Sequence, residues 1–346
     1  MFEIYLPIAN MTVNGLEILL LGALVGFLSG LFGVGGGFIM TPALNLVFGI
    51  PMNVAVGSSL TQMAATSSSG AVAHKKLGNV DMKLAFLILC GSVIGVQIGV
   101  MAVNYLESQG TSELVIKEIY VVMLTIVGAL MIIESYKAMQ KRHEHIGISR
   151  AVMGLKHITD VRGMDDFRRI FSTKGDTGEG IEEIYKFKEV EDAKDEITNP
   201  IIERVGNIKF MSIELKRAGI KIPIFLPVLL GLFVGILAGI MGVGGGFIMV
   251  PAMIYLLGVP TVVAIGTDLA QMVITASSGS IGHALSGNVD IYLVIMILIG
   301  STIGAQFGAR ASRTLKGPRI RLLFGMIIAI VMLRLLMDVL STTGML

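Results

Sequence analysis

Two sets of four polar side chains stand at one spacing in this chain: Ser59, Gln62, Thr66 and Ser69, then Asp268, Gln271, Thr275 and Ser278. On a helix, that spacing keeps each set within about 80° of arc and about 15 Å of length, a polar stripe on an otherwise apolar cylinder. Neutral donors in a row, present in both copies, suit the passage of a small oxyanion; the alternative is hydrogen bonding between the helices of a bundle. Asp268 is the exception, a carboxylate where the first set has Ser59. Ionised near the middle of a bilayer it would cost at least ~2.5 kcal/mol, so it must be protonated, paired or solvated, which makes it the candidate proton-coupling site.

A run of glycines also occurs twice, as "GVGGGFIMTP" from Gly33 to Pro42 and as "GVGGGFIMVP" from Gly242 to Pro251. A dinucleotide fingerprint needs a strand before it, an amphipathic helix after it and an acidic residue about 20 positions on; a phosphate-binding loop needs Lys-Ser/Thr. Neither context is present. What remains is exposed backbone amide at the start of a helix, where an anion can be held without lysine or arginine. Gly35, Gly36, Gly37 and Phe38, with Gly244, Gly245, Gly246 and Phe247, are therefore candidate binding residues. A tight turn between two helices would use the same glycines.

These features sit in apolar chain. Of the 346 residues 53% are hydrophobic and 15% charged, and 31 of the 52 charged residues fall between positions 141 and 221. The remainder has membrane composition, with mean hydropathy +0.79 for the whole chain. Net charge is +2, with no basic surface and no aromatic-basic interleaving for nucleic acid. A single cysteine, Cys90, excludes an internal disulfide and cysteine-rich metal chemistry. His143 and His145, in a charged stretch beside the membrane, read as solvated; no cofactor or metal is expected. The N-terminus has no Lys or Arg before its first apolar run, so that run reads as a retained membrane segment.

A shift of 209 positions superposes Gly22 to Gly99 on Gly231 to Gly308 without a gap, including Gln62 on Gln271, His74 on His283 and "GNVD" at 78 on "GNVD" at 287. Each copy holds five apolar segments. The second, near 37 to 50 and 246 to 258, is short for the roughly 20 residues of a crossing, and is either a full span or half of a broken, re-entrant pair. The expected fold is an all-α polytopic membrane protein with eight to ten membrane helices, divided as repeat 1 (1–140), a charged insert (141–221) and repeat 2 (222–346). Lys75, Lys76 and Lys83 follow the third segment of copy one, whereas Arg310, Arg313, Lys316, Arg319 and Arg321 follow the fourth segment of copy two. Placing the positive loops inside makes the insert cytoplasmic, leaves both termini outside and inverts one copy relative to the other, a signature of secondary transporters.

Glycines at every fourth position, Gly91, Gly95 and Gly99 among them, read as faces for close helix packing. Asp81 and Asp290 read as helix N-caps, His74 and His283 as helix-end residues at the membrane interface, and Arg334 with Asp338 as a local pair. "FMSIELKRAGIKIPIF" reads as a hairpin turning at Arg217-Ala218-Gly219.

The motifs "GVGGGFIMTP" with "AVGSSLTQM", repeated as "GVGGGFIMVP" with "AIGTDLAQM", resemble the TauE/SafE family of sulfite and organosulfonate exporters. The resemblance covers both membrane halves but not the insert, which is longer than the central linker expected of the family. It implies outward transport of a small sulfur-containing anion across a prokaryotic inner membrane, with the motif on Gly33 to Pro42, Gly57 to Leu60, Gly242 to Pro251 and Gly266 to Leu269. The chain thus reads as a transporter rather than an enzyme, its partners a small anion, the bilayer and a coupled proton. A passive anion channel and a membrane sensor signalling through the insert are the rival readings.

Overall fold

The structure, a computed structural model, describes residues 3–32, 37–130, 132–133, 212–215, 217–312 and 317–342. Most of the insert, including His143 and His145, lies outside the described residues. So do Gly33 to Gly36, Arg313 and Lys316.

The chain opens with an antiparallel hairpin, β1 (Glu3–Leu6) and β2 (Met11–Asn14), then α1 (Gly15–Phe32), α2 (Gly37–Phe48), α3 (Met52–Lys76), α4 (Met82–Ser108) and α5 (112–130). After the insert come the hairpin β3 (Ser212–Leu215) and β4 (Ile220–Pro223), then α6 (Phe225–Met241), α7 (Gly246–Leu257), α8 (Thr261–Leu285), α9 (Ile291–Ser312) and α10 (Gly317–Thr342). The bounds of α7 and α8 are those of α2 and α3 moved by 209 positions.

The all-α expectation needs one correction, since two β-hairpins frame the helices. The second hairpin lies where "SIELKRAGIKIP" places it. The first matches it at the same shift, Glu3 to Ser212 and Met11 to Ile220, and its alternation is hidden by Pro7 and Asn10 in the turn. Among the described residues, four helices are long and apolar enough to cross a membrane: α4, α8 and the segments Ile291–Gly308 and Gly325–Thr342. With 12 residues each, α2 and α7 span about 18 Å, well short of the ~30 Å hydrocarbon layer.

The tightest interfaces, α1 on α9, α4 on α6 and α3 on α8, each join an element before the insert to one after it. In the first two, backbone meets backbone. A Cβ on Gly91 would overlap the Val228 carbonyl, one on Gly231 the Ile88 carbonyl, and one on Gly304 the Ala23 carbonyl. The every-fourth-residue glycines are packing faces, as their spacing indicates.

Asp81 and Asp290 do cap helices, and each does more. Asp81 Oδ1 accepts from the amides of Lys83 (3.1 Å) and Leu84 (3.2 Å), while its Oδ2 accepts from Arg217 N in the β3–β4 turn (3.4 Å). Its own amide donates to Thr267 Oγ1 at 3.0 Å. Asp290 makes the matching set with Tyr292, Leu293, Ile8 and Ser58. Each aspartate thus pins a hairpin and the third helix of the opposite half to its own fourth helix. Asp290→Ala should lose the ~0.5–2 kcal/mol of a cap and in addition strand the Ile8 amide, whereas Asp290→Asn keeps an acceptor and most of the stability. Thermal unfolding in detergent checks this, and equal midpoints for Asp290→Ala and wild type would show the clasp contributes nothing.

The Arg334–Asp338 reading needs correction. Asp338 Oδ2 lies 2.7 Å from Lys117 Nζ, which also reaches Glu113 Oε1 at 2.7 Å. Helix spacing offers Asp338 a local arginine, but the fold brings α5 alongside with a lysine whose side chain is only 10% exposed. A cation that far from water needs the carboxylate more than the exposed Arg334 does.

Candidate functional site

The second glycine run is a reversal between α6 and α7. Gly242 ends α6 in the left-handed region, φ 73°, its amide donating to Ala238 O at 2.8 Å. Gly244 and Gly245, at φ 67° and 93°, hold a path that side chains resist, and the Gly245 carbonyl accepts from Ile248 and Met249 as α7 begins. The start of α7, with its positive dipole end, therefore points into the turn. Residues 241 to 247 are all buried.

Of the first run, Gly35 and Gly36 lie outside the described residues, but Gly37 and Phe38 open α2 directly against the second run. A Cβ on Gly37 would lie 2.9 Å from Gly242 O and overlap Met63 Sδ. Phe38 and Phe247, one from each run, stack at 4.8 Å between centroids and 5° between planes. Met63 and Met272, also a shift-related pair, bring their sulfurs to Gly244. The Tyr120 hydroxyl donates to Met241 O beside them. The two helix starts meet in the core, packed with two phenylalanines and two methionines. A cavity of about 480 Å³ opens elsewhere, between α2 and α10, beside Ala43, Ile330 and Arg334.

The stripes lie next to this junction on α3 and α8. Val56 and Met63 present one face of α3 to the glycine turns, and Ser59, Gln62 and Thr66 stand about a quarter turn around the helix from it. Gln62 Nε2 donates to Ser301 Oγ on α9 (2.9 Å). Thr66 Oγ1 and Ser69 Oγ bond back to their own helix, at Gln62 O and Thr66 O, and Ser69 is exposed. On α8, Gln271 Nε2 donates to Asp268 Oδ1 (2.8 Å), Gln271 Oε1 accepts from Thr275 Oγ1 (2.8 Å), and Ser92 Oγ on α4 joins Thr275 at 2.7 Å. Ser278 receives Gln97 Nε2 at both its carbonyl and its hydroxyl. Bonds from α4 therefore reach Thr275 and Ser278, and Asp268 and Gln271 are bonded within α8. In the first stripe, two buried atoms have no hydrogen-bond partner among the described residues, Ser59 Oγ and Gln62 Oε1.

Asp268 is 2% exposed, and among the described residues it has no ion-pair partner; the Gln271 amide is its hydrogen-bond donor. His283 is a correction: it is fully buried, with Nε2 2.9 Å from Gly239 O, because the last turn of α8 packs on α6 instead of reaching an interface. His74 is half-buried.

Ser92 and Ser301 went unread as site residues. They stand beside Gly91 and Gly300, where small residues look like packing, and only their common 209-residue shift marks them. Among the described residues, no three His, Cys, Asp or Glu side chains converge.

The family model described as "Sulfite exporter TauE/SafE" matches residues 18–335, nearly the whole chain. The chain belongs to the TauE/SafE family. The chain is also similar to proteins of Bacillus subtilis named as probable membrane transporter proteins. YunE is 24% identical over 321 residues, 91% of this chain and 94% of that protein. YjnA is 23% identical over 296 residues, 86% and 89% of the two chains, and YdhB is 34% identical over 91 residues, 26% and 37%. No solved structure matches the chain significantly. In this TauE/SafE membrane transporter the glycine runs precede two helices too short to cross a bilayer, α2 and α7, beside others long enough to do so.

Proposed function

We propose that this chain is a secondary transporter that exports a small sulfur-containing anion, such as sulfite or an organosulfonate, bound near the bilayer midplane between two inverted halves. The observation that carries this reading is the meeting of the two glycine-turn helix starts at the Phe38–Phe247 stack. Irregular backbone at membrane depth is tolerated where protein buries it or where it lines a path for solute, and broken helices with N-termini facing an anion are a recurrent transporter device. Five apolar segments per copy, an odd number, and the lysine and arginine bias of the loops support the inversion, with the insert read as cytoplasmic and both termini as outside.

Phe38, Phe247, Met63 and Met272 pack tightly where the helix starts meet, so passage of an anion there requires them to part. An anion leaving a negative interior gains ~2.3 kcal/mol per charge per 100 mV, enough to drive export unaided. Asp268, buried with an amide donor and no cation, is the residue placed to add proton coupling. Purified protein in liposomes should show saturable sulfite or sulfonate flux with counterflow. Asp268→Asn should remove the response of that flux to an imposed proton gradient, and an unchanged response would take Asp268 out of the mechanism. Single-channel conductance in place of counterflow would overturn the carrier reading.

A further inference from the structure

The two stripes carry the same glutamine in opposite hydrogen-bonding states. Gln271 is engaged at both ends: its amide nitrogen donates to Asp268 Oδ1, and its oxygen accepts from Thr275. Gln62 is not. Its nitrogen donates to Ser301 Oγ at 2.9 Å, and Ser301 donates its own proton to Leu298 O at 3.2 Å. A hydroxyl has one proton, and with that proton directed at the Leu298 carbonyl Ser301 accepts from the Gln62 amide nitrogen, whose Oε1 is turned away from α9. Thr66, the counterpart of Thr275, bonds to the Gln62 main-chain carbonyl instead of its side chain. Oε1 is left buried, on a residue 2% exposed, with no partner among the described residues. One turn earlier on the same face, Ser59 Oγ is equally unpartnered on a residue 0% exposed. Its counterpart, Asp268, is engaged.

A buried amide oxygen with free lone pairs repels the oxygens of a sulfonate or sulfite, which are acceptors themselves. It attracts an O–H or N–H group. The neighbouring Ser59 hydroxyl can donate to an anionic oxygen while Gln62 Oε1 accepts from the same solute, the two side chains rising about 4.5 Å apart along the helix.

We infer that Ser59 and Gln62 form a half-site, oriented by Ser301, that selects anions carrying a hydrogen-bond donor a few ångströms from the charged group. This rests on the transport reading above and makes Gln62 its specificity determinant, with Ser301 a positioning residue. Sites built to bond a substrate hydroxyl reject the analogue that lacks it far more strongly than apolar pockets reject a size change.

The test compares 2-hydroxyethanesulfonate with ethanesulfonate, which has the same charge and chain but no donor, by calorimetric binding to the full-length purified protein and by competition for flux. Wild type should bind the hydroxy compound at least tenfold more tightly. Gln62→Met should bring the ratio to within about twofold of one. Ser301→Ala, which keeps Gln62 but frees its amide to rotate, should reduce the ratio part-way without abolishing ethanesulfonate binding, an outcome that general loss of fold would not give. Equal wild-type affinity for both compounds overturns the inference and leaves the transport reading standing. If neither compound binds a well-folded protein, the sulfonate-transport reading falls and the inference with it.

Discussion

Gly304→Leu is expected to leave almost no folded protein. A Cβ at position 304 overlaps the Ala23 carbonyl oxygen and lies 2.8 Å from Ala23 C and from Phe27 N, so everything it meets is main chain of α1. A flexible side chain could move aside; a helix backbone can yield only if α1 and α9 separate along their length. Overpacking a core costs roughly 1–3 kcal/mol when side chains can adjust, and here they cannot, so the cost should exceed that range. Apolar side chains gain little by leaving lipid for one another, so close backbone contact carries much of the association, and the substitution removes it. Ile303→Ala, next along the same helix at a residue 49% exposed, should leave the yield unchanged. The monodisperse fraction on size-exclusion chromatography in detergent measures both. A Gly304→Leu variant with wild-type yield would mean the helices are not held together at this crossing.

The glycine faces were legible because helix packing in lipid imposes a local period. The 209-residue correspondence, the short second segments, the caps and the β3–β4 hairpin were legible for a similar reason, each being fixed by residues close in sequence. What escaped is long-range choice among acceptable partners. Asp338 had Arg334 four residues away, yet the fold delivered Lys117 from α5. His283 ends a helix, as read, but that end is buried against Gly239. Ser92 and Ser301 look like spacers until α8 and α3 arrive beside them and turn them into hydrogen-bond partners for Thr275 and Gln62. The stripes shared one pattern, and only the packing shows that the second is spent on its neighbours while the first keeps two atoms free.

Gly244→Ala is expected to cut anion flux at least tenfold while the protein stays folded, and Gly287→Ala is the comparison that makes the result interpretable. Both glycines lie in the left-handed region, at φ 67° and 77°, so an added methyl costs each about 1–2 kcal/mol of backbone preference. At Gly287, in the turn between α8 and α9, the methyl meets nothing within 4 Å. At Gly244 it meets Met63 Cε at 2.6 Å and Sδ at 3.1 Å, and Met272 Sδ at 3.4 Å. Methionine is unbranched and can swing away, so the fold should survive with a melting temperature near that of Gly287→Ala. The turn itself would change: the methyl takes the space beside the backbone amides and displaces the sulfurs that close it. If those amides receive the anion, only the variant at 244 loses flux. If the two variants transport equally well, the anion does not pass this turn, and the stacked helix starts are a packing junction with the path lying elsewhere along α3.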